Sequence, residues 1–336
     1  MKKLLLLIII PFLSFGQTNI VGGENTTIDN FPWQVATWGL QDNGFYEVCG
    51  ASIINQYWIV TAAHCVYGNA PNTITIMVGS SNYFSNNGIP YSVDEIIIHP
   101  NYSNDNEEPE LAYMSHDIAL VRISEGLAFE FNEFVQPISL MSADEVIAGV
   151  QNEDMIATIT GWGQMEYGAT PETLQVIELP IVSNETATGL TQNNSGFSGN
   201  WPSYAIDESM ICVQSLNNSG PCFGDSGGPM IVRNNDDTDW LLAGVFSKMG
   251  GCGNMERPSV FIKISHVKDW ICENIEKDQT NNGSCANTEN SIALEALSKT
   301  KQLIRTTNIL GKETNSKGFQ LHIYDDGSVE KKYLIK

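Results

Sequence analysis

Short apolar or alternating runs, separated by glycine, asparagine and proline, fill the chain from residue 20 to about residue 277. Clear examples occupy residues 33–38, 57–61, 74–78, 118–123, 155–160, 174–179, 229–233, 241–247 and 260–264. Runs of this length between turn-forming residues predict β-strands. Many short strands at regular spacing predict an antiparallel sandwich or a barrel, and the pattern alone does not choose between them. Residues 267–276 instead predict a closing amphipathic helix, with Val267, Trp270 and Ile271 on one side.

The first 16 residues have the pattern of a secretory signal peptide. Two lysines precede an apolar run that continues to about Phe15, and Ser14, Phe15 and Gly16 give the small-x-small pattern of a cleavage site. A membrane anchor is the alternative, but a span needs about 20 apolar residues. We therefore expect cleavage before Gln17, a secreted protein and no integral membrane span.

Charge and cysteine content narrow the classes of partner. The formal net charge is −22, and residues 20–290 carry 34 acidic against 7 basic residues. Such an acidic surface argues against nucleic acid and anionic membranes as partners. Export predicts an oxidising environment in which most of the seven cysteines form disulfides. No Cys/His cluster has zinc-ligand spacing, so neither a metal nor a cofactor is expected.

Three short strings carry candidate chemistry in the order His, Asp, Ser. They are Thr-Ala-Ala-His-Cys at 61–65, Asp-Ile-Ala-Leu at 117–120 and Gly-Asp-Ser-Gly-Gly-Pro at 224–229. Each string alone is more often structural. Together, in one exported β-rich chain, they resemble the chymotrypsin-like serine endopeptidases of the trypsin superfamily. The resemblance implies an all-β fold of two packed six-stranded antiparallel β-barrels with a C-terminal helix and an active site in the cleft between the barrels.

The same resemblance implies a role for each residue of the strings. A serine hydroxyl is a poor nucleophile unless a base takes its proton, so Ser226 is expected to attack while His64 accepts that proton. Asp117 is expected to hold the imidazole, and the backbone N–H groups of Gly224 and Ser226 to form the oxyanion hole. The other histidines lack such contexts and are expected to be ordinary polar residues: His99, His116, His266 and His322.

Residues 20–23, Ile-Val-Gly-Gly, resemble the activation site of the family. Proteolysis there creates a free amine on Ile20, which pairs with the buried carboxylate of Asp225 and orders the pocket. We therefore expect a zymogen with residues 17–19 as a minimal propeptide. Asn19 stands where the family usually carries Arg or Lys, which leaves the activating enzyme open. In the alternative interpretation, Ile20 begins an ordinary strand.

The substrate pocket departs from that of the trypsins. Gly220 stands where trypsins carry an Asp, so the pocket is expected to be neutral. Met249 and Ser259 are expected to narrow it, and Ser247 matches a serine that donates a hydrogen bond to Asp117. Small or medium apolar residues are therefore the expected cleavage positions.

The cysteines divide into three pairs and one unpaired thiol. The resemblance implies the first two pairs, and proximity at the end of the domain suggests the third: Cys49–Cys65, Cys222–Cys252 and Cys272–Cys285. Cys212 is expected to be free and buried, because no cysteine occupies residues 173–211, where the family's partner would lie. Residues 79–92 have no acidic pair that matches the calcium loop of the family, so calcium is not expected.

The end of the chain has a different character. A polar, turn-rich linker is expected over 279–298. In residues 299–336, alternation around Asp-Asp-Gly at 325–327 predicts a hairpin, and the ending resembles the C-terminal sorting module of the type IX secretion system. A small β-extension that completes the peptidase is the alternative. The predicted order is thus signal peptide (1–16), propeptide (17–19), peptidase domain (20–278), linker (279–298) and sorting module (299–336).

The predicted function is a monomeric secreted serine endopeptidase that acts on proteins or peptides and is exported by the type IX secretion machinery. A catalytically silent homologue that acts as an extracellular binding or adhesion protein is the main alternative. Such homologues typically lose a catalytic residue or the oxyanion glycine, and this chain keeps them. An α/β-hydrolase is not favoured, because that fold orders its triad Ser, Asp, His.

Overall fold

The computed structural model describes residues 20–40, 46–82, 87–103, 115–165, 168–193, 206–278, 285, 303–307, 318–324 and 329–334. In chain order the strands are β1 (Glu24–Asn25), β2 (Gln34–Leu40), β3 (Tyr46–Ile53), β4 (Trp58–Thr61), β5 (Ile74–Val78), β6 (Ile89–Ile98), β7 (Ala119–Ile123), β8 (Ser139–Leu140), β9 (Ile156–Gly161), β10 (Gln175–Val182), β11 (Met210–Val213), β12 (Pro229–Arg233), β13 (Trp240–Met249), β14 (Ser259–Lys263), β15 (Leu303–Thr307), β16 (Gly318–Tyr324) and β17 (Val329–Leu334). The helices are α1 (Ala143–Ala148), α2 (Asn184–Asn193) and α3 (Ile264–Ile275), with short 3₁₀ turns that include Ile20–Gly22, Ala63–Cys65 and Glu276–Asp278.

Strands β2 to β7 close into an antiparallel barrel in the order β2-β3-β4-β7-β6-β5. The barrel closes because β2 pairs with β3 on one side and with β5 on the other. Strand β5 shows how the sequence specifies these elements. Its Ile74, Ile76 and Val78 are buried and Thr75 between them is exposed, the period of two expected for a strand with one face on the core.

Strands β9 to β14 form the second barrel. Five neighbouring pairs follow the order β10-β11-β14-β13-β12-β9, and β9 also pairs with β10, which closes the ring. The prediction of two closed six-stranded antiparallel barrels is therefore confirmed. One continuous apolar core contains residues of both barrels, including Val35 and Ile76 of the first and Ile159 and Phe261 of the second.

The closing helix begins earlier than the sequence pattern predicts. Residue 264 was expected to end a strand, but β14 ends at Lys263 and α3 begins at Ile264. Ile264, Val267 and Ile271 are all buried, at the i, i+3, i+7 spacing of a helix face. The apolar face of the helix thus starts with Ile264, and a strand and a helix interpretation of that single position cannot be separated by hydrophobicity alone.

The C-terminal strands form a compact unit of their own. The chain divides at Cys285, and residues 286–336 make up the second unit. In it β15, β16 and β17 form a three-stranded antiparallel sheet. The predicted signal peptide and propeptide lie outside the described residues, as does the predicted linker except for Cys285. The predicted domain boundaries therefore stay predictions.

Three disulfides cross-link the first unit: Cys49–Cys65, Cys222–Cys252 and Cys272–Cys285. Cys212 is a free thiol in β11, and burial raises its pKa to about 12. A thiol of that pKa remains protonated and unreactive at neutral pH. Among the described residues, helices long and apolar enough to cross a membrane are absent.

A half-buried carboxylate links the end of the first unit to the first barrel. Asp278 Oδ2 accepts hydrogen bonds from Trp58 Nε1 (2.9 Å) and from Arg122 Nε (2.8 Å). We expect Asp278→Ala to lower the free energy of unfolding by about 2–4 kcal/mol, because it leaves a buried indole N–H and a guanidinium without this partner. Guanidinium denaturation without reductant measures the change.

Asp237→Asn is the control for this carboxylate, because Asn removes the charge and tolerates the left-handed backbone of Asp237 (φ +60°). Asp237 pairs with Arg233 at 3.6 Å, but its side chain is 83% exposed. Removal of an exposed ion pair changes stability by less than about 1 kcal/mol. Equal effects of the two substitutions would contradict a special role for Asp278.

Candidate active site

The pairing of β4 with β7 brings His64 and Asp117 to the same edge of the first barrel. Thr61 at the end of β4 lies opposite Ala119 at the start of β7. His64 follows β4 in the turn Ala63–Cys65, and Asp117 lies two residues before the start of β7. Two residues far apart in the sequence therefore become neighbours because their strands are adjacent and antiparallel.

The Asp117 carboxylate is completely buried and accepts three hydrogen bonds. The backbone N–H of His64 donates to Oδ1 (2.8 Å), and His64 Nδ1 donates to Oδ2 (2.7 Å). Ser247 Oγ, from β13 of the second barrel, also donates to Oδ2 (2.7 Å). A carboxylate held in this way fixes the imidazole with Nδ1 protonated, so Nε2 offers its lone pair.

The loop that carries Ser226 is seated against the first barrel. The Ser226 carbonyl accepts a hydrogen bond from the backbone N–H of Gly50 in β3 (2.7 Å), and the Gly50 carbonyl accepts one from Thr61 Oγ1 (2.8 Å). Gly227 has a φ of +77°, and a Cβ there would collide with Thr61 Oγ1 and with the Gly50 carbonyl. Only glycine permits this approach. The contacts place the half-buried Ser226 beside the segment that leads from β4 to His64.

The backbone N–H groups of Gly224 and Ser226, on either side of Asp225, have no hydrogen-bond partner among the described residues. Gly224 has a φ of +99°, a conformation that L side chains rarely adopt. Unsatisfied N–H groups beside a serine hydroxyl are suited to bind a carbonyl oxygen that develops negative charge.

Asp225 belongs to this loop, and it is only 1% exposed. Its Oδ1 accepts from the Gly163 N–H (2.7 Å) and its Oδ2 from the Cys222 N–H (2.9 Å). Burial raises the pKa of Asp225 to about 6, and these two backbone hydrogen bonds only partly offset that effect. Within the described part of the chain no cationic side chain forms an ion pair with this carboxylate.

The segment after Ile20 lies beside the loop that precedes Asp225. The Val21 carbonyl accepts a hydrogen bond from the Gly220 N–H (3.0 Å), and a Cβ on Gly22 would collide with the Ser219 side chain. This brings the predicted activation segment next to the predicted pocket residue Gly220. The Ile20 side chain lies outside the described part of the structure.

The other predicted pocket residues lie on paired strands. Met249 of β13 is directly opposite Ser259 of β14, which is buried. A Cβ on Gly220 would lie 2.7 Å from Ser215 Oγ, a buried hydroxyl that has no partner among the described residues. A cavity of about 790 Å³ adjoins the Cys222–Cys252 disulfide, and its wall includes Met165, Phe223, Met255 and the exposed Glu256.

Sequence reasoning missed a cluster of histidines behind the site. His99 and His116 stack with ring centroids 4.7 Å apart, and His116 and His266 are 6.0 Å apart. Burial and then the neighbouring imidazoles His116 and His266 lower the pKa of His99 to about 4. These three were expected to be ordinary polar residues, and their contact with one another was not predicted. Their spacing along the chain gave no signal, because they meet only in the folded domain.

One group of metal-ligating residue types lies at the site itself, formed by Cys49, His64 and Cys65. Both sulfur atoms belong to one disulfide, so neither is a thiolate that could bind a metal. The donor set at the active site thus does not fit a zinc centre.

Comparison with known proteins agrees with this geometry. Residues 20–271 match the family described as Trypsin. "Serine proteinase stubble" of Drosophila melanogaster is 33% identical over 274 residues, which cover 79% of this chain and 32% of the fly protein. The chain thus spans about a third of the length of this relative. The family match covers most of the chain and both barrels, and the chain belongs to the trypsin family of serine endopeptidases.

Proposed function

We propose that this protein hydrolyses peptide bonds with Ser226 as nucleophile, His64 as general base and Asp117 as the group that orients and stabilises the imidazole. The observation that carries the proposal is the environment of Asp117, a fully buried carboxylate bonded to the backbone and to Nδ1 of His64 and to Ser247. A buried carboxylate is costly unless its hydrogen bonds are satisfied, and here two of the three come from His64, one from its backbone and one from its imidazole.

The reaction proceeds through an acyl-enzyme. Ser226 Oγ attacks the carbonyl carbon of the substrate while its proton passes to His64 Nε2. The N–H groups of Gly224 and Ser226 stabilise the resulting oxyanion, and His64 then returns the proton to the leaving amine as the C–N bond breaks. A water molecule repeats the sequence on the ester, with His64 again as base, and releases the carboxylic acid and the free serine.

We propose that the pocket accepts small or medium apolar residues. Gly220 provides no carboxylate that could pair with Lys or Arg, and the wall formed by Met249 and Ser259 supports a narrow, neutral site. Glu256 is the acidic residue on the adjoining cavity wall, but it is exposed. Water screens an exposed charge, so it contributes little to selection of a cation.

The experiment uses protein that begins at Ile20, treated with a fluorophosphonate probe and then with a peptide library. Stoichiometric labelling and cleavage after apolar residues are expected. Cleavage mainly after Lys or Arg would contradict the neutral pocket and would point to Glu256, while the mechanism would stand. If correctly processed protein is not labelled, the catalytically silent binding homologue becomes the better interpretation.

Ser247→Ala tests the orientation of Asp117. Loss of one hydrogen bond to a charged group costs about 1.5–3 kcal/mol, so kcat is expected to fall roughly 10- to 100-fold with little change in KM. Steady-state kinetics on one apolar peptide measure both constants. An unchanged kcat would show that His64 alone holds the carboxylate in place.

We further propose that the chain is a secreted, monomeric zymogen and that its C-terminal unit is a type IX sorting module. The antiparallel sheet of β15, β16 and β17 and the basic residues of its last strand support the second proposal. Removal of residues 299–336 is expected to retain an otherwise folded peptidase in the periplasm of a producing cell. Cell fractionation measures this, and normal export of the truncated protein would favour a simple β-extension.

A further inference from the structure

Three histidines from distant parts of the chain lie close together next to Asp117. His99 follows β6, His116 immediately precedes Asp117, and His266 lies in the first turn of α3. The His99 and His116 rings are stacked at an interplanar angle of 19°. The Trp270 ring packs against His99, with the two ring centroids 4.7 Å apart. His99 is buried, His116 is half-buried and His266 is exposed, so the cluster runs from the core to the surface.

We propose that His99, His116 and His266 form a binding site for a divalent transition-metal ion such as Zn²⁺, and that metal binding inhibits the peptidase through Asp117. Neutral imidazole is the commonest nitrogen ligand of zinc. With Zn–N bonds of about 2.0–2.1 Å in a tetrahedron, the centroids of two bound imidazoles lie roughly 5 Å apart. The centroid separations are 4.7 Å for His99 and His116 and 6.0 Å for His116 and His266, close enough for rotation of the side chains to bring their nitrogen atoms to one ion.

A hydrogen bond from His116 Nδ1 to Ser115 Oγ makes Nε2 the metal-binding atom of His116, whereas His99 Nδ1 accepts a hydrogen bond and the proton of the neutral His99 ring is therefore on Nε2. Ser115 Oγ bonds His116 Nδ1 (2.8 Å), and the Asn101 N–H donates to His99 Nδ1 (3.2 Å). Partners on the second ring nitrogen commonly orient histidine ligands. Ligation by His99 Nε2 requires a proton on Nδ1 and loss of the 3.2 Å hydrogen bond, which is long and correspondingly weak.

The rings stack rather than converge on one point, so binding requires side-chain rotation. The exposed His266 can rotate without disturbing the core. The negative charge of the exposed Asp207 acts on His116. Its carboxylate or a water molecule can occupy the fourth position, as carboxylates and water do in zinc sites that have three histidine ligands or fewer.

The effect on catalysis follows from the backbone around Asp117. His116 has a φ of +48°, and its carbonyl accepts a hydrogen bond from the Ile118 N–H (2.7 Å). The His99 N–H donates to the Ile118 carbonyl (3.1 Å). Both neighbours of Asp117 are thus tied to the cluster, and movement of His116 toward a metal shifts the carboxylate that orients His64. This consequence rests on the proposed function, whereas metal binding does not.

Metal binding is tested without reference to activity. Ser226→Ala protein that begins at Ile20 is titrated with Co²⁺, and the visible absorption of a tetrahedral site is followed, with displacement by Zn²⁺. One Co²⁺ per chain is expected. His266→Ala in the same background should weaken binding at least tenfold, and the control His322→Ala, in β16 of the other unit, should not. Absence of the absorption, or binding that is the same with and without His266, would overturn the site.

Inhibition is tested on the active protein at pH 7.5. Zn²⁺ is expected to lower kcat with little change in KM, and the concentration for half-inhibition should rise at least tenfold in His266→Ala, each variant being compared with its own rate without metal. Circular dichroism checks that this variant is folded. Equal inhibition of both proteins would overturn the coupling to Asp117 and would place the inhibitory ion elsewhere. A protein that binds Co²⁺ but hydrolyses nothing would contradict the proposed function and not the metal site.

Discussion

Ser226→Ala in protein that begins at Ile20 is expected to lower kcat by about 10⁶-fold and to abolish labelling by a fluorophosphonate. The hydroxyl is the only atom of the proposed triad that forms a bond to the substrate, so no other group replaces it. The oxyanion N–H groups of Gly224 and Ser226 remain in the variant and leave a residual rate above that of water. Single-turnover and steady-state hydrolysis of an apolar peptide measure the loss.

Ser124→Ala is the matched control for this substitution. Ser124 Oγ is hydrogen-bonded to Ser92 Oγ (2.8 Å) at the exposed surface of the first barrel, and its loss should leave activity at the wild-type level. A second test uses Asp117→Asn, which alone should cost about 10⁴-fold and should add little to the loss in Ser226→Ala, because the triad acts as a unit. Additive losses, or a Ser226→Ala protein that keeps its activity, would contradict the proposed roles.

The local elements of the fold could be predicted from the sequence, because strands that pack one face on a core alternate visibly. The buried Ile74, Ile76 and Val78 of β5 are an example. Closure of the barrels could not be predicted in this way. It depends on pairings such as β2 with β5 and β9 with β10, and the same alternation also fits a sandwich. The family resemblance made that choice.

The start of helix α1 could have been predicted from its capping residues, although the hydrophobic pattern did not indicate a helix. Ser142 caps the helix, and Glu145 three residues later completes a reciprocal capping box, a pattern that predicts a helix start. The helix has only six residues, too few for an apolar face to show a period. Short helices of this kind are found from their caps and not from hydrophobicity.

Residues whose roles depend on distant partners fall into two groups, those that lie in a distinctive local sequence and those that do not. His64, Asp117 and Ser226 lie in strings that are distinctive on their own, so the candidate site could be proposed before the structure. His99 and His266 lie in ordinary sequence, and their chemistry arises only because α3 packs beside the end of β6. The hydrogen bond from Trp58 to Asp278 is of the same kind. Such contacts are properties of tertiary packing and carry no local pattern.

Release of the N-terminus at Ile20 is expected to raise kcat/KM at least 100-fold over that of the uncut chain. Val21 already lies beside Gly220, and Asp225 is buried without a cationic side chain paired to it in the described part of the chain. An ammonium group on Ile20 would supply that charge and order the loop that carries the oxyanion N–H groups of Gly224 and Ser226. Hydrolysis by protein with and without a removable N-terminal extension measures the gain.

The proposed pairing of the Ile20 ammonium with the Asp225 carboxylate also predicts that the cut and uncut chains differ in stability, by an amount that depends on pH. In the uncut chain burial raises the pKa of Asp225 to about 6, from 3.8 for an ordinary aspartate, so the folded state binds the proton more tightly than the unfolded state. The resulting loss in the free energy of unfolding is absent below pH 4 and grows as the pH rises toward 6. Above that pH it amounts to roughly 3 kcal/mol. The Ile20 ammonium removes this cost, and the cut chain should therefore be more stable at pH 7.5, with a smaller advantage at pH 4.

Asp225→Asn separates the two effects. In the uncut chain, the neutral side chain should raise the free energy of unfolding at pH 7.5 by less than the full roughly 3 kcal/mol, because no charge remains buried but the amide accepts from only one of the two backbone N–H donors. In the cut chain it should abolish most of the activity gain, because the ammonium loses its partner and is itself costly to bury. Uncut protein as active as cut protein, or a stability difference that is the same at pH 4 and pH 7.5, would contradict activation through Asp225. The contrast between a more stable precursor and a less active product would tie the activation step to this one carboxylate.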